Sequence, residues 1–367
     1  MGDVPIDPNN NIVTPKPERK DCRRMPPTKF DLLQMFRGLA AVGVVFHHAS
    51  ASTSAFVAQI PPWLSSIFQQ GFLGVDFFFV LSGFIIMKSH FSDNKSISAL
   101  KNYGLKRFVR VFPPYWPVSF VLMLGYFAHP SLSQGTRADF SLLSSVLLLP
   151  AASAPALSVA WTLIHEVIFY LIFSLFFISN RLFLAFVALW ALAMCTAAWR
   201  GGESDSLTLV FLLKPINFEF LLGMGVAWCA RTTPHRFAKP LCLAGGALFV
   251  SLLCWPFALD FRVLFGVPFS LLVLGAVLLE RQGKVVLPRW VIMLGDASYS
   301  IYLVHNPTIS ITSRLIGKFS MLRRWGFGML TGIVVSIIAG ILYHLLIEKP
   351  LIRLFRRYIE RLRAVAP

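Results

Sequence analysis

Ten apolar segments, each near the ~20 residues that a helix needs to cross a bilayer, dominate this chain of 367 residues. They lie at 32–49, 71–88, 111–129, 158–178, 182–199, 207–229, 239–257, 262–280, 291–313 and 326–348. Hydrophobic residues make up 56% of the sequence, far more than one water-soluble core requires. Since lipid-embedded backbone must satisfy its own hydrogen bonds, we predict an all-α, polytopic membrane bundle of about ten transmembrane helices. The stretch 139–150 is too short for a span and is interpreted as a re-entrant segment.

Both ends of the chain are polar and basic. Residues 1–29 contain six prolines and six Lys or Arg without an apolar core, which is typical of a disordered tail and not of a cleavable signal peptide. Residues 351–367 are again basic. The sequence therefore predicts a disordered cytoplasmic tail at 1–29, a membrane domain at 30–350 and a basic cytoplasmic tail at 351–367.

The net charge of +17 follows membrane topology and does not indicate nucleic acid. With a cytoplasmic N-terminus, the inner segments hold 25 of the 34 Lys and Arg residues, which is the positive-inside bias. Both termini are then cytoplasmic. The loop between the last two segments is the exception, since four of the seven outer-loop cations lie at 314–324. The five cysteines lack paired spacing, so neither a disulfide framework nor a metal site is predicted.

Arg37 and His48 share one face of the first apolar segment. At ~100° per residue, the eleven steps between them return to nearly the same azimuth, ~16 Å further along the helix. Ionisable groups inside a membrane are expensive and are usually retained for a pathway or for chemistry. The alternative is an Arg that snorkels to one interface and a hydrated His near the other.

A second basic pair precedes the third segment. Arg107 and Arg110 are three residues apart, share a helix face and lie just before a proline-marked helix start predicted at 111–115. Guanidinium groups arranged in this way suit bidentate contacts with phosphates. On charge alone, attraction of the two arginines to anionic lipid headgroups explains the pattern equally well.

The fourth segment carries a polar stripe, in which Thr162, Glu166 and Tyr170 recur every four residues. A carboxyl group there must be paired, hydrogen-bonded or protonated, and the protonated state is useful for proton transfer. Structural pairing of Glu166 with an Arg is the equal alternative.

The ninth segment carries a second stripe, in which Ser298, Tyr302 and His305 follow helical spacing. A lone His of this kind often only hydrogen-bonds a neighbouring helix. With alternating helix directions, however, we expect His48, Glu166 and His305 at similar depth towards the outer side. The stripes together predict a shared polar cavity, with the arginines gathered at the cytoplasmic level.

Short sequence words occur in a fixed order along the chain. They are RGLAA at 37–41 with His48, GVDFFFVLSGF at 74–84, RFVRVFP at 107–113, WTL at 161–163 with Glu166 and FY at 169–170, SYSIYLVH at 298–305 and EKP at 348–350. Each word is weak alone, whereas the ordered set is specific. From residue 30 to about 355 the chain resembles the integral-membrane acyltransferase family 3, which O-acylates bacterial surface and exported polysaccharides.

The resemblance implies a ten-helix acyltransferase in the bacterial inner (cytoplasmic) membrane. The implied donor is acyl-coenzyme A, usually acetyl-CoA, and the implied acceptor is a sugar hydroxyl on a lipid-linked oligosaccharide or polysaccharide, with exopolysaccharide first. Membrane lipids are the remaining partner, and neither nucleic acid nor a metal is expected.

The resemblance also assigns residues by position. The catalytic set is His48, Glu166 and His305, the donor-binding set is Arg37, Arg107 and Arg110, and the cavity set is Ser298, Tyr302, Trp161 and Asp76. His48 is expected to act as general base on the sugar hydroxyl or as an acyl relay, with Glu166 orienting an imidazole. The Ser298 to His305 stripe would supply donors for charge on the carbonyl oxygen. His47 departs from the family pattern and places a second titratable group beside the base.

Two other interpretations remain open. A transporter or flippase would also place polar residues on facing helices, but no inverted repeat of broken helices is found, only a break at Lys214 and Pro215. A structural subunit of a polysaccharide export complex is the other. Glu348 beside Lys349 is interpreted as a helix terminus with a local ion pair.

Overall fold

The computed structural model describes residues 30–130, 139–200, 206–255, 262–283 and 285–365, which form a helical bundle without a β-strand. The helices are α1 (Asp31–Phe56), α2 (Pro62–Gln69), α3 (Gly74–His90), α4 (Ile97–Ala128), α5 (Leu142–Leu147), α6 (Trp161–Ser174), α7 (Asn180–Trp199), α8 (Leu207–Leu212), α9 (Phe218–Thr232), α10 (Ala238–Cys254), α11 (Gly266–Glu280), α12 (Arg289–Gly317), α13 (Trp325–Tyr343) and α14 (Lys349–Val365). The all-α prediction is confirmed. The tail predicted at 1–29 lies outside the described residues.

Each of the ten apolar segments overlaps at least one of these helices. Within the described ranges, eight helical stretches are long and apolar enough to cross a membrane. The other two segments, the sixth and the ninth, do not meet this criterion. The sixth is broken between α8 and α9, and the ninth, α12, carries a polar stripe. The predicted polytopic bundle is confirmed, and the sidedness of its termini stays a prediction.

The break between α8 and α9 is bridged by Asn217, and Trp190 Nε1 also donates a hydrogen bond to the carbonyl oxygen of Leu212 at 2.7 Å. Asn217 Nδ2 donates hydrogen bonds to the carbonyl oxygens of Phe211 at 2.8 Å and Leu212 at 3.0 Å, and its Oδ1 lies 3.0 Å from Nδ1 of buried His165. Carbonyl groups at the end of α8 thus find a donor, which is what a broken helix inside a membrane protein needs.

The third segment begins earlier than its prolines suggest. α4 starts at Ile97 and runs without a break through the prolines at 113, 114 and 117. The helix start predicted at 111–115 is therefore wrong. Hydroxyls from two other helices contact this stretch: Tyr299 and Tyr343 donate hydrogen bonds to the carbonyl oxygens of Val111 and Pro114 at 2.9 and 2.6 Å.

The stretch 139–150 contains only the short helix α5, which packs against α4. The carbonyl oxygen of Ser145 accepts hydrogen bonds from the hydroxyls of Tyr115 at 2.8 Å and Ser119 at 2.7 Å. At the other end of the chain, a π-helical turn at His344–Glu348 joins α13 to α14. The residues after 350, predicted as a basic tail, continue this helix to Val365.

α1 and α12 pack with their backbones in contact. A Cβ atom on Gly38 would lie 3.2 Å from the Gly295 nitrogen, and one on Gly295 would meet the backbone of Gln34. Near the far ends, a Cβ on Gly317 would meet the carbonyl oxygen of Phe56. Because the residue numbers of these contacts increase together along α1 and α12, the two helices run in the same direction. Their small residues allow the close approach.

Candidate active site

His48 and His305 come together across the contact between α1 and α12. Their ring centroids lie 5.1 Å apart. His305 is fully buried, whereas His48 is half-buried in the wall of a cavity of about 490 Å³. The cavity is lined by Val44, His47, His48, Phe72, Val75, Ser158, Val159, Trp161, Arg262 and Tyr302. Its volume is in the range of small-molecule sites.

The hydrogen bonding of His305 indicates which ring nitrogen carries its proton. Nδ1 lies 3.1 Å from the carbonyl oxygen of Ile301, so a neutral ring holds its hydrogen there. Nε2 is buried and has no hydrogen-bond partner among the described residues. A neutral His305 therefore offers a proton acceptor at Nε2 and not a donor.

His47 extends the pair to a row of three imidazoles. Its ring centroid lies 4.9 Å from that of His48, and its Nδ1 lies 2.9 Å from the carbonyl oxygen of Gln69. By the same reasoning, a neutral His47 leaves Nε2 as an acceptor. The extra histidine noted in the sequence is thus part of the cavity wall.

Tyr302 and Trp161 line the cavity, but the Tyr302 hydroxyl is already engaged. It lies 2.8 Å from the Thr162 hydroxyl and 3.0 Å from the carbonyl oxygen of Val159, which the Thr162 hydroxyl also reaches at 3.0 Å. The single Tyr302 hydrogen is therefore used inside this network. Ser298 is fully buried and is not among the residues that line the cavity.

Asp76 lies behind the cavity wall and forms an ion pair with Arg262. Arg262 Nε donates to Asp76 Oδ1 at 2.7 Å, and Nη2 donates to Oδ2 at 2.6 Å. Asp76 is fully buried, while Arg262 lines the cavity. The sequence pattern did not single out Arg262, because its partner is 186 positions away. The available signal was a cation at the beginning of an otherwise apolar segment.

The structure gives Glu166 partners other than the two histidines. Its carboxylate accepts hydrogen bonds from Tyr170 and, at 3.4 Å, from Ser82, and it interacts electrostatically with Arg37 and Arg110. The expected meeting of Glu166 with His48 and His305 is thus replaced by a position among the arginines. Its direct contacts are with two hydroxyl groups, and the alternative of structural pairing with an Arg stays a prediction.

Glu348 is not a helix terminus paired with Lys349, and that interpretation is wrong. Its carboxylate is buried in the π turn of a continuous helix. Oε1 accepts a hydrogen bond from Arg110 Nη1 at 2.6 Å, and Oε2 accepts one from the Ser300 hydroxyl at 2.7 Å and lies 2.6 Å from His344 Nδ1. One carboxylate therefore joins α4, α12 and the last helix.

The three predicted donor-binding arginines differ in how far they are engaged. Arg110 is paired with Glu348, and Arg37 donates a hydrogen bond within α1 at 3.1 Å. Arg107 lies 5.8 and 5.7 Å from the centroids of two tyrosine rings, and its Nε has no hydrogen-bond partner in the described part of the chain. The guanidinium of Arg107 therefore keeps hydrogen-bonding capacity for another group.

Comparisons with known proteins agree with this architecture. A family of acyltransferase domains matches residues 31–344. The exopolysaccharide production protein ExoZ of Rhizobium meliloti is 32% identical over 78% of this chain and 91% of its own length. The acyltransferase MdmB of Streptomyces mycarofaciens is 27% identical over 91% of the chain and 95% of its own length. The peptidoglycan O-acetyltransferase OatA of Listeria monocytogenes is 24% identical over 76% of the chain and 49% of that longer protein.

No solved structure matches the chain. The family match covers most of its length, the ordered sequence words fall within it, and the helices they occupy build the histidine cavity. The chain is a multi-pass membrane protein and belongs to the integral-membrane acyltransferase family 3.

Proposed function

We propose that this protein transfers an acetyl group from acetyl-CoA to a sugar hydroxyl of an exopolysaccharide or another cell-surface polysaccharide. The reaction takes place in the inner membrane of a bacterium, with both chain termini in the cytoplasm. The observation that carries the proposal is the pairing of His48 with His305 at a cavity, inside a bundle that holds arginines at a separate level. The printed name of the relative ExoZ supports exopolysaccharide as the acceptor class.

His48 acts as the general base. A sugar hydroxyl is a poor nucleophile at neutral pH, so a neutral imidazole must accept its proton as the oxygen attacks the thioester carbonyl. The C–S bond then breaks, and the leaving thiolate takes the proton from His48. His305 and His47, both with an acceptor at Nε2, are able to share that proton meanwhile.

The arginines serve the donor. Coenzyme A carries a diphosphate and a further phosphate, and guanidinium groups bind such oxygens in a bidentate way. Arg107 has unused hydrogen-bonding capacity, Arg37 and Arg110 interact electrostatically, and Arg37 lies eleven residues from His48 along α1. The donor therefore enters from the cytoplasm with its thioester directed towards His48.

The decisive experiment is acetyl transfer by the purified protein in lipid vesicles, measured with radiolabelled acetyl-CoA. We expect His48→Ala to lose transfer by about 10²–10⁴-fold, as when a general base is removed. The matched control is His235→Ala, because His235 is exposed and lies outside the cavity. Equal turnover in His48→Ala and wild type would exclude the mechanism.

The same assay separates enzyme from transporter. A flippase or an export subunit would show no acetyl-CoA turnover with any acceptor. An acyl relay on His48 would leave label bound to protein after acid quench in the absence of acceptor, and a general base would not. Loss of O-acetyl groups from the polysaccharide when the gene is deleted would identify the acceptor.

A further inference from the structure

Three helix beginnings converge behind the cavity wall. Asp76 lies in the first turn of α3, Glu219 lies in the first turn of α9, and Arg262 begins the turn that leads into α11. Both carboxyl groups are fully buried. The positive ends of two helix dipoles reduce the cost of burying them.

Glu219 supports the pair formed by Asp76 and Arg262. Its side chain packs on the start of α11, where a Cβ on Gly266 would lie 3.2 Å from Glu219 Cγ. The carboxyl groups of Asp76 and Glu219 both interact electrostatically with Arg262, although neither oxygen of Glu219 has a hydrogen-bond partner among the described residues. Arg262 contacts Asp76 directly and supplies the counter-charge that this buried carboxylate needs.

Asp76 binds one edge of the Arg262 guanidinium, and the rest of this group is available to the cavity. Contacts with Asp76 use Nε and Nη2, and the guanidinium carbon lies 4.7 Å from the centroid of the Phe72 ring. The side chain of Arg262 is 30% exposed although its partner is 0% exposed. Its remaining nitrogen, Nη1, is not used in the ion pair.

The stripe from Ser298 to His305, which was predicted to supply donors for a carbonyl oxygen, offers none to the cavity. A neutral His305 presents an acceptor, the Tyr302 hydrogen is used within its own network, and Ser298 does not line the cavity. Arg262 is the cation that shares the wall with His48. A preorganised donor in such a place stabilises a developing oxyanion at no cost in reorganisation.

We infer that Arg262 is a catalytic residue that donates a hydrogen bond from Nη1 to the thioester carbonyl oxygen. The inference rests on the proposed acyl transfer. As the acceptor oxygen bonds to the carbonyl carbon, the hydroxyl proton passes to His48 and the C=O electron pair moves onto oxygen, facing Arg262. When that pair re-forms the carbonyl, the C–S bond breaks and the thiolate takes the proton from His48. Asp76 and Glu219 are positioning residues.

The test is steady-state kinetics of Arg262→Gln with acetyl-CoA and the native acceptor. We expect kcat to fall about 10²–10³-fold, as for loss of one oxyanion donor. The KM for both substrates should change by no more than about threefold, because an interaction made only in the transition state affects kcat. The matched control is Arg314→Gln, a half-buried arginine that packs on Phe56 and does not line the cavity.

Chemical rescue separates a catalytic from a structural role. Guanidinium ion added to Arg262→Ala should restore part of kcat, because the cavity exposes the vacated position. Asp76→Asn/Arg262→Gln removes both partners of the ion pair together, so that Asp76 is not left as an unpaired buried carboxylate. We expect this double variant to remain folded by thermal unfolding and to stay as slow as the single variant.

Several outcomes would overturn the inference. They are kcat within twofold of wild type in folded Arg262→Gln, a rise in acceptor KM with kcat unchanged, and absence of rescue in a folded Arg262→Ala. Each of these presupposes a wild-type protein that transfers acetyl groups in a His48-dependent way. If the wild type shows no transfer at all, the proposed function itself fails. That outcome differs from failure of the Arg262 inference, in which the wild type is active.

Discussion

His48 and His305 each lie ten residues beyond a glycine at which α1 and α12 touch, Gly38 in one helix and Gly295 in the other. Because the two helices run in parallel, equal offsets bring the two imidazoles to the same level. The spacing of the histidine pair is therefore set by backbone contact and not by intervening side chains.

Replacing Gly295 should disturb that spacing. In Gly295→Ala the new methyl group would collide with the backbone of Gln34, so α1 and α12 must move apart. We expect a loss of about 1–3 kcal/mol in the free energy of unfolding, as for other overpacked sites. Transfer activity should fall at least tenfold. The control is Gly246→Ala, where a Cβ has nothing within 4 Å. Equal activity in the two variants would show that the contact does not set the site.

His305→Ala should reduce kcat for acetyl transfer by about 10²-fold, the lower range for a group that assists proton transfer. The physical reason is loss of the Nε2 acceptor beside His48. Radiolabel transfer measured alongside His235→Ala checks this. Wild-type kcat in a folded His305→Ala would mean that His48 works alone.

Arg107→Gln should weaken donor binding. Loss of one charged contact to phosphate corresponds to about a tenfold rise in the KM for acetyl-CoA, equivalent to ~1.4 kcal/mol. Lys101→Gln is the control, because Lys101 is an exposed cation on the same helix. If the KM for acetyl-CoA changes equally in both variants, and only when the charge of the vesicles is changed, the basic surface binds lipid headgroups and not the donor.

Arg110 and Glu348 should show measurable coupling. A double-mutant cycle with Arg110→Gln and Glu348→Gln, followed by thermal unfolding, is expected to give about 0.5–3 kcal/mol. We expect a modest coupling energy because the Arg110 side chain is 36% exposed to solvent, although that of Glu348 is only 1% exposed. Additive single effects would contradict a direct ion pair.

Helical spacing was sufficient to predict the fold class and the histidine pair, because both depend on repeated local patterns. Ten apolar stretches define the bundle, and the polar stripe of α12 places His305 on its inward face. The start of α4 was not predictable in this way. Its three prolines indicated a helix start, whereas the helix continues through them, and the tyrosines that contact this stretch lie on other helices and leave no local signal.

The same limit applies to the ion pairs of the site. Asp76 with Arg262 and Arg110 with Glu348 join residues 186 and 238 positions apart. Sequence spacing places a charge on a helix face but does not choose its partner. Glu166 illustrates this, since its stripe with Tyr170 was recognised, whereas its contact with Ser82, 84 positions away, was not.

The hydrogen bond from Tyr299 to the backbone of α4 has a mechanical consequence. It ties α12 to α4 next to Arg110, and only six residues, or ~9 Å of helix, separate Tyr299 from His305. This stretch of α12 therefore fixes the distance between Tyr299, which lies beside Arg110, and His305. Under the proposed transfer from acetyl-CoA, this fixed length would set how far the pantetheine arm must reach from the arginines to His48.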